Sequence, residues 1–108
     1  MPNYRNSTAG DITALNGAMT LTYRQFANGG VGVQVTNTFS GTLTFEMTID
    51  GTNWVAVQAT SVTTGTVATT TTTTGVFKFD VVGALSVRVR ASAWTSGTAT
   101  VTLVGMAG

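Results

Sequence analysis

The stretch Gly41 to Val57, GTLTFEMTIDGTNWVAV, decides the fold. Leu43, Phe45, Met47 and Ile49 alternate with Thr42, Thr44, Glu46 and Thr48. A period of two turns one set of side chains toward a core and the other toward solvent, which is a half-buried β-strand. Asp50-Gly51 ends the row. Glycine tolerates positive φ and aspartate accepts bonds from the backbone just after it, so the pattern reads as a hairpin turn with a second strand beyond it.

Two registers are open for that hairpin. A three-residue loop sets Ile49 opposite Val55 and Met47 opposite Val57, leaving Trp54 outside beside Asp50; it buries more apolar residues. A loop of two or four sets Ile49 opposite Trp54, which enters the core with Ala56 and turns Gln58 toward Phe45. The gain from hiding a large aromatic favours Trp54 in the core or at its edge. A calcium loop needs several oxygen ligands at alternating positions, whereas DGTNW offers Asp50 and Asn53 and stops, so the turn reads as structural and no metal is expected.

Working outward, the same alternation recurs in Met19, Leu21 and Tyr23, in Val31, Val33 and Val35, in Phe77, Phe79 and Val81, in Leu85, Val87 and Val89, and in Ala99, Val101 and Leu103. Turn signals separate these rows at Asn28-Gly29-Gly30, Ser40-Gly41, Val82-Gly83 and Ser96-Gly97. Threonine fills 24 of 108 positions and proline one, and no stretch shows a 3.6-residue apolar period. The expected fold is all-β: a single antiparallel β-sandwich, jelly-roll or Greek-key-like, of seven to eight strands, with a barrel as the alternative. The domain spans 18–108. Residues 1–17, with only Ile12 and Leu15 as spaced apolar anchors, read as an arm, loosely held or ordered by a neighbour. Thr69 to Thr74 can pair as a strand but demand burial on neither face, which predicts an edge strand or a long loop.

Composition removes most chemistry. The chain has no cysteine and no histidine, so disulfides, thiolate metal sites and the commonest general base are absent. Five basic and four acidic residues give a net charge of +1, too sparse a basic set to track phosphates, and nucleic acid is not an expected partner. No apolar window reaches a membrane span or a signal-peptide core, so the chain reads as soluble, made in a cytoplasm and not bound to membrane. Glu46 and Asp50 would lie roughly 13 Å apart along a strand, at about 3.3 Å per residue, beyond the roughly 5 to 9.5 Å of a glycosidase pair. No catalytic residue, no cofactor and no enzymatic activity are expected.

Residues 85–94, LSVRVRASAW, offer the clearest surface feature. Without a bulge, Leu85, Val87, Val89, Ala91 and Ala93 face inward and Ser86, Arg88, Arg90, Ser92 and Trp94 outward. Arginine beside an aromatic suits a docking partner or a sugar face. The quieter reading caps the sandwich with Trp94 and pairs the arginines with Asp80 or Glu46. Tyr4, Arg5, Arg88, Arg90 and Trp94 are the candidate partner-binding residues.

SGTLTFEMTIDGTNWVAV, the threonine-rich segment after it, GVFKFDVVGALSVRVRASAW and the final GTATVTLVG resemble small β-sandwich proteins of tailed-phage virions over residues 38–105. The resemblance rests on Phe45-Glu46, Asp50-Gly51, Trp54 and VRVRASAW. It implies a capsid decoration or cement protein in the virion, made in the bacterial host, with the major coat protein as partner and self-association, as a trimer for example. A low net charge keeps repulsion between many copies small, and residues 1–17 would be the segment that orders on the coat. The alternatives are a tail or fibre component, or a carbohydrate- or receptor-binding module using Trp94, Tyr4 or Tyr23 against sugar rings.

Overall fold

Alternating apolar rows need a second layer to cover them, and here each sheet covers the other. The computed structural model describes residues 4–22, 30–80 and 85–107, with side chains over 7–21, 30–79 and 85–105. The strands are β1 (Tyr4–Ile12), β2 (Ala18–Thr22), β3 (Gly30–Thr36), β4 (Phe39–Thr48), β5 (Val55–Ala56), β6 (Ala59–Ser61), β7 (Val67–Ala68), β8 (Thr70–Thr71), β9 (Gly75–Asp80), β10 (Ser86–Gly97) and β11 (Ala99–Ala107). One sheet runs β1-β11-β3-β9-β6-β7 and the other β2-β10-β4-β5, with β8 also on β4; every pairing is antiparallel. We call them the β11 sheet and the β10 sheet. Among the described residues, consecutive strands pair only at β4–β5 and β6–β7, so most connections cross from one sheet to the other. The all-β antiparallel sandwich expected from the alternation is what the chain forms. Its strand count exceeds seven to eight because β5, β7 and β8 are two-residue pieces that carry no alternation to read.

The core is built from the predicted rows. Val31, Val33 and Val35 of β3, Leu43 and Phe45 of β4, Val87 and Val89 of β10, and Val101 and Leu103 of β11 are all buried. Phe45 joins the layers: its ring lies 5.3 Å from Phe77 and 5.9 Å from Phe79 of the opposite sheet, tilted by 50° and 47°. Truncating such a side chain to alanine costs about 3–5 kcal/mol, transfer and cavity together. Ile49 and Leu85 depart from the rows: both lie beyond strand ends and are exposed, Ile49 by 71%. Tyr23, Val81 and the turns at Asn28-Gly29 and Val82-Gly83 lie outside the described residues.

Residues 1–17 were expected as an arm, but residues 4–12 are strand β1, paired with β11 from Tyr4↔Ala107 to Ile12↔Ala99. Ile12 is buried in the core, so this segment belongs to the sandwich. Its sequence hides the fact because the outward positions Ser7, Ala9 and Asp11 are small or polar and Gly10 interrupts the inward row. A Cβ on Gly10 would meet the end of the flexible Met19 side chain of β2 at 2.8 Å and would have to displace it.

The threonine run crosses between layers. β7 pairs with β6 in the β11 sheet; two residues later β8 pairs with β4, Leu43↔Thr71 and Thr44↔Thr70, in the β10 sheet. The Phe45 N–H donates to the Thr69 carbonyl at 3.0 Å, which pins the crossing point. The predicted edge strand is there, as a fragment of two residues.

Candidate interaction surface

The outer face of the β10 sheet is not the plain polar surface its threonines suggest. Thr44, Glu46 and Thr48 are buried although they alternate with the core row of β4. Each has partners, as buried polar groups require. The Thr44 and Ser92 hydroxyls are 2.7 Å apart, and Thr48 Oγ1 donates to Asp50 Oδ1 at 3.1 Å while accepting the Gly51 N–H at 3.0 Å.

Glu46 is the centre of a charged knot. Strand register sets Arg88 directly opposite Glu46 and Arg90 two positions along, opposite Thr44. Arg88 Nε donates to Glu46 Oε1 at 2.7 Å; Arg90 donates from Nε to Oε1 at 3.2 Å and from Nη2 to Oε2 at 3.2 Å. Arg90 Nη1 also reaches Asn16 Oδ1 at 3.0 Å, and Asn16, at φ 67, donates its N–H to the Ala91 carbonyl. Burial alone would raise the Glu46 pKa. The hydrogen bonds from Arg90 and Arg88, with their charges, outweigh it and hold the carboxyl below its usual range. Glu46 is therefore an ionised ion-pair partner at neutral pH and carries no proton to donate. The pairing of the arginines with Glu46, one of the two options read from the sequence, is the one formed; the side chain of Asp80 lies outside the described residues.

Trp94 takes the quieter of its two expected places, against the core, and Trp54 leaves the place expected of it. Trp94 does not extend the arginine stripe, because the ladder between β10 and β4 slips between Ala91 and Ala93 and again between Trp94 and Ser96. The first bulge reverses the alternation, so Trp94 pairs with Gly41, a core-side position of β4, and its ring packs on the core. It stacks on Phe39 with centroids 5.7 Å apart and planes within 4°. Two glycines admit this geometry. A Cβ on Gly41 would meet the Ala93 carbonyl at 2.5 Å and the Trp94 ring at 3.0 Å; Gly97 sits at φ 95 with the Thr38 carbonyl 2.5 Å from where its Cβ would be.

Trp54, expected in the core or at its edge, lies outside. β5 pairs as Met47↔Val55 and Glu46↔Ala56, two residues out of step with the three-residue loop but of the same parity. That parity puts Trp54 on the Glu46 face, where the Arg88 guanidinium carbon lies 4.1 Å from its ring centroid. The turn between them is held by Asp50, whose Oδ1 accepts the N–H groups of Thr52 and Asn53 at 2.8 Å each, while Asn53 Nδ2 donates to Oδ2 at 2.8 Å. These bonds, from the backbone of Asn53 and Thr52 above all, drive the Asp50 pKa far below the usual value. Both acidic residues of the opening stretch thus have structural duties, one in a turn and one in an ion pair.

Beside this turn the sandwich end opens into a cleft of about 430 Å³ lined by Met47, Ile49, Val55 and Val57 with Asp50 and Asn53 at its rim. A second cleft of about 420 Å³ lies under the threonine crossing, walled by Thr64, Thr66, Thr70 and Thr73 over Phe77. Among the described residues no three acidic, histidine or cysteine side chains converge as a metal site. Of the five candidate partner-binding residues, Arg88 and Arg90 stand together; Trp94 faces the other way; Tyr4 and Arg5 begin β1 in the opposite sheet, and their side chains are outside those described. Sequence reasoning passed over Glu46 and Trp54 as site residues, although Glu46 was the one carboxylate in the middle of an alternating row.

This architecture defines the chain as a small two-sheet antiparallel β-sandwich, and solved structures share it. It is similar to the SPBc2 prophage-derived protein YomS, with a TM-score of 0.81 at 16% identity, covering 99% of this chain and 96% of that one. It is similar also to the PBSX exported protein XepA, with a TM-score of 0.75 at 16% identity, covering 94% of this chain but 38% of XepA. No family model matches the sequence, and no curated protein does.

Proposed function

We propose that this chain is a structural protein of a tailed-phage virion, and that it serves as a decoration or cement protein bound to the major coat protein. The observation that supports this reading most is the end-to-end correspondence with a prophage-derived protein of nearly the same extent. The surface chemistry agrees with a binding role. Glu46 and Asp50 are both committed to internal bonds, and the arginines are tied to Glu46, so docking would depend on shape and apolar contact more than on charge. The cleft lined by Ile49 and Val55 is the apolar surface such docking would use. In this reading the protein is non-catalytic, is made in the host cytoplasm and resides in the virion.

One observation favours a second reading: XepA, which contains this sandwich as part of a longer chain, is named an exported protein. Release from the host as a free or receptor-binding module is the competitor. Co-sedimentation of the labelled protein with coat-only capsids, purified tails and intact host cells separates the two. Saturable binding to capsids at a fixed ratio per coat subunit is the expected result. Binding to tails alone would make it a tail component, and binding to cells that free sugar competes away would overturn the cement reading.

A further inference from the structure

The two lateral sides of the sandwich are built differently. On one side the edges are two-residue fragments, β5, β7 and β8, interrupted by turns and by the threonine crossing, and so offer no continuous row of backbone groups. On the other side the β11 sheet ends in β1, nine residues paired without a register shift to β11 along one edge. Among the described residues nothing pairs with its other edge. β1 has no proline, no lysine and no bulge to blunt its exposed edge, and its two charges are of opposite sign, Arg5 and Asp11. Its outward positions Ser7 and Ala9 are small and exposed, so another strand can approach closely.

The charges of β1 make it complementary to itself. It holds one cation and one anion, Arg5 and Asp11, at register positions six apart and therefore of like parity. Thr8 lies midway. An antiparallel pair of identical strands matches positions of like parity, and a two-fold axis through Thr8 does so while setting position 5 of each strand opposite position 11 of the other. Asp11 is held ready: Thr100 Oγ1 donates to its Oδ1 at 2.7 Å and Asn37 Nδ2 donates to Thr100 Oγ1 at 2.6 Å. Its Oδ2 has no partner among the described residues.

We propose that β1 is a self-pairing edge: two copies of this chain join through an antiparallel β1–β1 contact centred on Thr8, with Arg5 of each in register with the partner's Asp11. The six-stranded sheet becomes one of twelve strands across the dimer. A two-fold normal to that sheet keeps both β10 sheets on the same side, so each arginine knot and each cleft is displayed twice on one surface.

Sedimentation equilibrium of the full chain over a wide dilution series tests this. The expected species is a dimer that weakens with added salt. Asp11→Arg, and separately Arg5→Asp, each set like charges opposite one another and are expected to raise the dimer dissociation constant about ten- to hundredfold. The double variant Arg5→Asp with Asp11→Arg restores the dimer. So does mixing the two single variants, which pair only with each other; this result can come from no contact within one chain. Circular dichroism checks that each variant is folded, and if one is not, the other and the double variant still decide. A wild-type chain that stays monomeric, a trimer, or variants that associate like the wild type would overturn the proposal.

Discussion

Trp54 and Trp94 are both half-buried, yet they rest on opposite kinds of surface. Trp94 lies on Phe39 and the core, placed there by a bulge and by the gap at Gly41; Trp54 lies on the Arg88 guanidinium, placed there by the length of the Asp50 turn. Neither position follows from the hydrophobicity of indole. In a sheet a single residue inserted or removed sends every later side chain to the other face, and two identical side chains then do different work. One closes an apolar core. The other lies over one guanidinium of a charged cluster.

That contrast can be broken by experiment. The largest effect is expected from Trp94→Ala, which removes an aromatic stack and opens the core at its end; urea unfolding should show a loss of about 2–3 kcal/mol, below the full-burial figure because the ring is half-buried. A loss no larger than that of Trp54→Ala would remove the distinction between the two sites.

Next comes Glu46→Gln, which keeps the shape but leaves two neighbouring guanidinium groups without their counter-charge. The expected cost at neutral pH is about 1–2 kcal/mol, moderated because both arginines are partly solvated. The pH dependence sharpens the comparison. The Glu46 pKa is lowered in the folded protein, so its contribution is fully present above the ordinary glutamate value of about 4.3 and is lost as pH falls through the lower folded value. The difference in unfolding free energy between wild type and Glu46→Gln should therefore shrink on acidification, and a constant difference would mean that charge is not what Glu46 contributes. The smallest effect is expected from Trp54→Ala, about 0.5–1 kcal/mol for a solvent-facing cation–π contact. Because Glu46 still holds Arg88, the fold should be unchanged by circular dichroism.

The same contrast explains what could be read from the sequence. Rows with a strict period of two, such as Val31, Val33 and Val35 or Leu43 and Phe45, are core rows in the structure, because their burial demands one register. The choice between the two places of Trp94 turns on a bulge, which leaves no mark in composition: Ala91, Ser92 and Ala93 are all small enough for either face. Strand β1 reads as an arm in the sequence because a single buried aliphatic side chain, Ile12, marks it, and its nine-residue ladder to β11 leaves no trace in composition. The knot was half legible. Arg88 and Arg90 stood out, and Glu46 was among their possible partners, but the Trp54 lid depended on a loop length that Asp50-Gly51 alone does not fix.

The threonine crossing has a consequence for how such a chain varies over generations. Thr69 to Thr74 are six identical side chains, and the crossing uses one carbonyl at Thr69 and one hydroxyl at Thr71, which bonds Thr73. A segment made of one residue type has no unique alignment with its neighbours, so losing or gaining a threonine moves an identical side chain into each vacated place. Repetitive coding sequence gains and loses units readily during copying. Here such a change would alter the span of one of the straps between the two layers while a threonine still stands opposite Leu43, giving the molecule a built-in adjustment of length at this crossing.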